Sequence, residues 1–333
     1  MSVHRSLAPA VVLGAALLLA ACAGQVGPEG PAGPEGPQGP SGPAGESITT
    51  ADLSCGECHN ATTLISGKEA AWSTSQHGSG TSFARGTSSS CAGCHSGGAF
   101  SERISAGLHP GEVESGDPDP TRQDCRACHK IHETYTSADF ALETSDPVEF
   151  YAFEGVTFDG GSGNLCANCH QPRGGRGEAV NGEVQVTSTH WGPHHGPQSS
   201  FLLGVSGSGV EGSPAAHYSA VENTCVGCHM GEGADHSFAP SVDRCQACHA
   251  DAESFDINGT QTEVQGMLDE LEALLIAEGL LDEEGHPAVI AVPEAQADAL
   301  WNWIAIAHED RSLGVHNPAY TRALLEYSLE TMR

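Results

Sequence analysis

Hydrophobic positions change their rhythm four times along this chain of 333 residues. Residues 7–21, LAPAVVLGAALLLAA, are almost wholly apolar and follow the polar His4 and Arg5. That run is short for a membrane span, which needs about 20 apolar residues, and it has the layout of an export signal. From Gly27 to Ser47 the apolar pattern vanishes. Residues 51–255 carry scattered apolar positions with neither a helical nor a strand period. One exception is EAVNGEVQV at 178–186, where Asn181-Gly182 between alternating residues predicts a two-residue hairpin turn. Beyond residue 260 a helical period sets in. Val264, Met267, Leu268, Leu271, Leu274 and Leu275 share one face of TEVQGMLDELEALLIAEGLL. PEAQADALWNWIAIAHED follows, with Pro293 suited to a first helical turn. NPAYTRALLEYSLETM closes the chain, with Asn317 as cap and Pro318 behind it.

These shifts predict four segments: an export signal at 1–21, an anchor and tether at 22–50, a loop-rich region at 51–255 and a helical segment at 256–333. The signal ends in Leu19-Ala20-Ala21-Cys22, which resembles a bacterial lipoprotein signal, so Cys22 is the expected lipidation site. The tether holds seven Gly-X-Y triplets, six with Pro at X. Gly in every third place is what a collagen triple helix requires. So few triplets favour a stiff polyproline-type spacer instead, about 65 Å long at about 3.1 Å per residue. The fold class expected for the rest is mainly α with many loops, the helical tail packed on the region before it.

Composition sharpens this picture. With 42 Gly, 19 Pro and 38% hydrophobic residues, an ordinary aliphatic core is not expected over 51–255. Loss of residues 1–21 removes Arg5 and no acid, leaving 12 basic residues against 43 acidic ones, a net charge of −31. Nucleic acid is therefore excluded as a partner, and so is binding to anionic lipid by charge. Residues 245–310 contain no Lys or Arg, a stretch that reads as a soluble acidic surface or as a docking face for basic partners.

The chemistry lies in the cysteines. Of 13, all but Cys22 fall into six C-x-x-C-H units: Cys55, Cys58 and His59; Cys91, Cys94 and His95; Cys125, Cys128 and His129; Cys166, Cys169 and His170; Cys225, Cys228 and His229; Cys245, Cys248 and His249. This spacing is the attachment signature of c-type haem. Two thiols add to the vinyl groups along one porphyrin edge, and the next residue brings its imidazole to the iron. A zinc site would not require His after each pair. A disulfide framework does not explain a constant gap with a trailing His, and a thioredoxin-like pair would occur once. Six covalently attached haem c groups are expected.

The second axial ligand follows from counting. Beyond Met1 there are three methionines, Met230, Met267 and Met332, whereas eleven histidines remain after His4 and the six motif histidines are set aside. Bis-histidine, low-potential haems are the expectation. His77 and His109 are the only histidines in their gaps between motifs. His132 lies one helical turn from His129 and should serve a neighbouring haem. His190, His194 and His195 offer one or two ligands, His217 precedes the fifth motif, His236 sits between the last two motifs, and His316 stands before the final helix. His286 and His308 read as ordinary surface histidines.

The six motifs, with WSTSQHG, GPHHGPQ, AAHYSAVENTCVGCHM, DHSF and DRSLGVHNPAYTRALL, resemble the multihaem c-type cytochromes related to the tetrahaem cytochrome of nitrifiers, hydroxylamine oxidoreductase and ammonia-forming nitrite reductase. The resemblance covers about residues 52–331 and is specific at those motifs. It implies a mostly α fold around stacked haems, with His77, His194, His217, His236 and His316 as distal ligands. The chain departs from the nitrite reductases in having no C-x-x-C-K unit. Hydroxylamine oxidation in this group implies a tyrosine cross-linked to an open haem, and Tyr218 is the nearest of five tyrosines. An electron carrier is therefore expected rather than an enzyme. It would relay electrons between a periplasmic or membrane donor and an acceptor, with redox proteins, including other multihaem cytochromes, as partners. It would be exported and lipid-anchored to a bacterial membrane, the outer membrane favoured, facing the periplasm or the cell surface. The alternatives are an oxidoreductase of small nitrogen or sulfur compounds at one open haem, and a trimeric or conductive assembly in which the Gly-X-Y segment makes a homo-oligomer.

Overall fold

Among the described residues, short helices separated by loops predominate, and there are two sheets of two strands each. The computed structural model describes residues 59, 63–194, 196–231 and 233–333. The export signal, Cys22, the tether, Cys55, Cys58 and His195 lie outside the described residues. Among the described residues no helix is long and apolar enough to cross a membrane.

The expected hairpin turn forms. Asn181 and Gly182 both take positive φ (56° and 85°), the conformation that makes Asn-Gly favourable there, and Val180 and Glu183 exchange backbone hydrogen bonds. The strand that leaves it, β3 (Glu183–Gln185), finds its longer partner elsewhere. It pairs antiparallel with β4 (Ala291–Pro293), Val184 opposite Val292, both buried. The other sheet is β1 (Val148–Glu149) against β2 (Thr157–Phe158).

All three C-terminal helices form, at Thr260–Ala277, Glu294–Ile304 and Pro318–Met332. Pro293 sits one place earlier than expected: it ends β4 and precedes the second helix as its cap residue. Asn317 caps the third helix as expected, its side chain accepting from the Tyr320 amide, while its Nδ2 donates to Phe201 O and Ser213 O. The second helix does not run through to residue 310 as an α-helix. Its last turn, Ala305–Asp310, is π-helical and stops at Arg311 with φ 61°. The physical reason is local: wide π turns occur mostly as short inserts at functional sites, and this one carries Asp310 toward His316, as described below.

The main apolar core belongs to these helices. Val264, Leu268, Leu271 and Leu275 of the first helix meet Leu300, Trp301 and Ile304 of the second and Leu324, Leu325 and Leu329 of the third. Phe201 and β3–β4 join the same core. Gly204 turns the chain after Phe201 with φ 77°, and a Cβ there would lie 2.6 Å from Ser213 backbone. A smaller cluster, including Val148, Phe150, Phe158 and Leu202, lies under β1–β2.

Replacing the fully buried Leu271 by Ala should destabilise the chain by about 2–5 kcal/mol, because lost burial and a residual cavity add. Replacing the exposed Val180 (69%) by Ala should leave stability within about 0.5 kcal/mol. Denaturant titration of both variants measures the contrast.

Candidate haem-binding site

Each described C-x-x-C-H unit is folded by one tight turn. The amides of His129, His170 and His249 return to the carbonyls of Cys125, Cys166 and Cys245 at 2.8–2.9 Å. A turn of that kind puts the first thiol and the imidazole on one side. The ten described motif cysteines are all free thiols, so no disulfide framework is built from them. Among the described residues no group of three or more His, Cys, Asp or Glu converges as a metal-binding cluster, which is what a zinc site would need.

The histidines instead meet in twos. His59 faces His132 at 6.0 Å between ring centres, His170 faces His77 at 6.1 Å, and His95 faces His194 at 6.2 Å. His129 faces His236 at 6.2 Å, His249 faces His217 at 6.3 Å and His229 faces His316 at 6.4 Å. Every pair joins one motif histidine to one remote histidine, and no histidine is used twice. The interplanar angles run from 25° to 82° while the distance hardly varies. Ring stacking would fix the angle; a constant separation at variable angle suits an atom held between the rings. Two imidazole nitrogens bonded at about 2 Å to opposite sides of one metal put the ring centres about 6 Å apart.

Protonation fits the same use. His129, His217, His229 and His236 donate Nδ1–H to the carbonyls of Phe140, Val315, Phe238 and Ala234 at 2.6–3.0 Å. His170 donates to Gln198 Oε1 at 3.0 Å and His316 to Asp310 Oδ1 at 2.6 Å. A carbonyl can only accept, so the Nε2 lone pair of each imidazole is left for a metal. Burial, and then the facing His170, bring His77 down to about 4, which keeps it neutral and able to ligate at ordinary pH. Burial likewise holds His170 and His229 below the usual value. His316 moves the other way: burial pulls it down, but the charge and hydrogen bond of Asp310, with Cys225, together raise it.

All twelve paired histidines and all ten described motif cysteines line a single cavity of about 2750 Å³. Sites for one small molecule span about 300–1,000 Å³, so this space suits several large planar groups. The motifs also meet one another. Cys94 Sγ donates to Asn168 O at 3.9 Å and Cys169 Sγ to Cys94 O at 3.8 Å, and the adjoining thiols bring Cys94 down to about 7 and Cys169 up. Cys166 likewise adjoins Cys225, which stands at about 7 while Cys166 is raised. Motif 4 therefore abuts motifs 2 and 5, and Cys228 of motif 5 feels Cys245 and Cys248 of motif 6.

His109 departs from the sequence expectation. It stacks on Tyr151 at 5.3 Å, and its Nε2, the atom a ligand would need, is bonded to Glu149 O at 3.2 Å. It does not line the cavity; being the one histidine in its gap gave it no partner. His190, His286 and His308 also lie outside the cavity lining. Tyr218 uses its hydroxyl on the Asp159 backbone at 3.1 Å. Residues that the sequence did not single out support the pairs. Gln198 holds His170 and donates to Glu309 O at 2.9 Å, which ties motif 4 to the π turn. Val315 O holds His217 and Asp310 holds His316, so residues 309–316 orient three imidazoles. Gln198 and Asp310 lie within GPHHGPQ and DRSLGVHNPAY, the only signal that the sequence offered for them.

No family model matches this chain and no curated protein matches it. Among solved structures its fold is similar to that of the outer cell wall cytochrome OcwA, with a TM-score of 0.52 and 22% sequence identity over 79% of this chain and 50% of that one. The chain spans about half the length of that cytochrome. Its mostly helical, loop-rich fold is similar to the fold of that cytochrome.

Proposed function

We propose that this protein is a hexahaem c-type cytochrome that carries electrons through bis-histidine haems. The observation that supports this best is the set of six histidine pairs, each with one C-x-x-C-H histidine, at 6.0–6.4 Å around one cavity. Each bound haem would supply one reversible electron on its iron. The chain's own work is to hold, space and insulate. The motif thiols would attach the haem, and the paired imidazoles would ligate its iron. Backbone carbonyls, Gln198 and Asp310 lock the rings. Arg103 ties motif 2 to motif 4 by donating to Gly93 O of one and Asn168 Oδ1 of the other, and Cys166 of motif 4 lies beside Cys225 of motif 5.

With two imidazoles set to ligate each iron, no position would be left open for a substrate, which favours the carrier over an oxidoreductase of small nitrogen or sulfur compounds. The sequence also supports a lipid anchor at Cys22 with a Gly-Pro tether, and so a place on the outer surface of a bacterial membrane. The outer-cell-wall description of OcwA is in keeping with such a place. The net acidity of the chain favours basic redox partners; trimerisation through the Gly-X-Y segment would make the same protein part of a larger conductive assembly.

Expression of the full chain with haem-attachment machinery should give an intact mass carrying six haems and an oxidised EPR spectrum that is entirely low-spin. A high-spin haem that takes up nitrite or cyanide would replace the carrier reading with the oxidoreductase one. His77→Ala should turn one haem of six high-spin, while His109→Ala should leave the spectrum as in the parent. If the two variants exchange these outcomes, the pairing of His77 with His170 is wrong.

A further inference from the structure

Two buried charges flank the line through motifs 5, 4 and 2, one beside the motif 5 pair and one between motifs 4 and 2. The first is Asp310, whose side chain is fully buried. Its Oδ1 takes the Nδ1 proton of His316 at 2.6 Å, and its Oδ2 is held by Ser312 Oγ at 2.5 Å. Of the six imidazoles whose Nδ1 bonds are described above, the other five meet neutral acceptors, four backbone carbonyls and the Gln198 amide. A carboxylate partner makes an imidazole a stronger electron donor to its metal, and its charge disfavours adding an electron nearby.

The second is Arg103, which is 3% exposed. Its guanidinium reaches inside two motifs at once. Nε donates to Gly93 O at 3.1 Å, in the C-x-x-C gap of motif 2, and an Nη donates to Asn168 Oδ1 at 3.2 Å, in the gap of motif 4. The other Nη donates to Leu108 O at 3.1 Å. These acceptors are neutral, so the positive charge is not cancelled by them, and it acts on both Cys94 and Cys169. A fixed cation beside a redox centre favours the reduced form, and low local dielectric strengthens its reach.

We infer that Asp310 and Arg103 are positioning residues that tilt the haem chain: Asp310 lowers the potential at the His229–His316 iron, and Arg103 raises it at motifs 2 and 4. This rests on the hexahaem reading. The tilt concerns one electron shared within the protein. In the haem-loaded chain the group held by His229 and His316 would lose one electron as the group at motif 2 gains it, with no proton and no outside reagent. Motif 4, in contact with both, is the junction. The sequence could not give a direction of flow; these two charges give one, from motif 5 toward motif 2.

The test is a potentiometric titration of the full haem-loaded chain, read by optical and EPR spectra, for the parent, Asp310→Asn, Arg103→Met and Arg103→Lys. Asp310→Asn keeps an acceptor for His316 but loses the charge. It should raise one of the lowest midpoints by about 59 mV, the one-electron equivalent of a tenfold change in partition. Arg103→Met should lower one or two of the higher midpoints, and Arg103→Lys should restore them. Unmoved midpoints, or shifts of opposite sign, in Asp310→Asn protein that still carries six low-spin haems would overturn the proposal. This holds even where Arg103→Met does not fold. A parent protein without six low-spin haems would instead overturn the hexahaem reading.

Discussion

The structure depends on holding two imidazoles about 6 Å apart, six times, around one cavity. Backbone geometry alone cannot do this, because a histidine is free to turn. Six of the twelve rings are locked by giving Nδ1–H to a fixed acceptor, which leaves their Nε2 lone pairs for a metal. His129, His217, His229 and His236 are locked by carbonyls, His170 by Gln198 and His316 by Asp310. The short helices and the loops between them serve that purpose. His109 shows the counter-case: an acceptor on Nε2 removes the lone pair from use.

The C-terminal helices have a second role beyond their own packing. Their apolar faces make the larger core, with Leu271, Leu275, Leu300 and Leu324 fully buried. That core fixes residues 309–316 between the π turn and the cap of the last helix. Those residues in turn hold His170 through Gln198, His217 through Val315 O, and His316 through Asp310. A conventional hydrophobic core thus acts as a clamp on three of the six histidine pairs, and the region before it, poor in aliphatic packing, is ordered around the cavity.

Much of this is legible in the amino-acid sequence. Six C-x-x-C-H units with no cysteine to spare point to their chemistry by spacing, and the apolar stripe from Val264 to Leu275 marks a helix by period. Each of the twelve histidines that meet in pairs stands out by its motif, by its place between motifs or, for His316, by its place before the last helix. Which pairs with which cannot be read along the chain, since His77 with His170 and His129 with His236 join residues far apart in it. The same non-locality hides β4 as the partner of β3. The π turn at 305–310 is invisible because its residues continue the helical pattern of those before them. Asp310 and Arg103 carry no signature of their own; their meaning comes from burial and from what their nitrogens and oxygens touch.

Anomalous scattering at the iron edge, from crystals of the haem-loaded protein, tests the central claim most directly. Six iron positions are predicted, each midway between the rings of His59 and His132, His95 and His194, His129 and His236, His170 and His77, His229 and His316, or His249 and His217. Fewer irons, irons away from these midpoints, or scattering at the zinc edge instead would contradict the account.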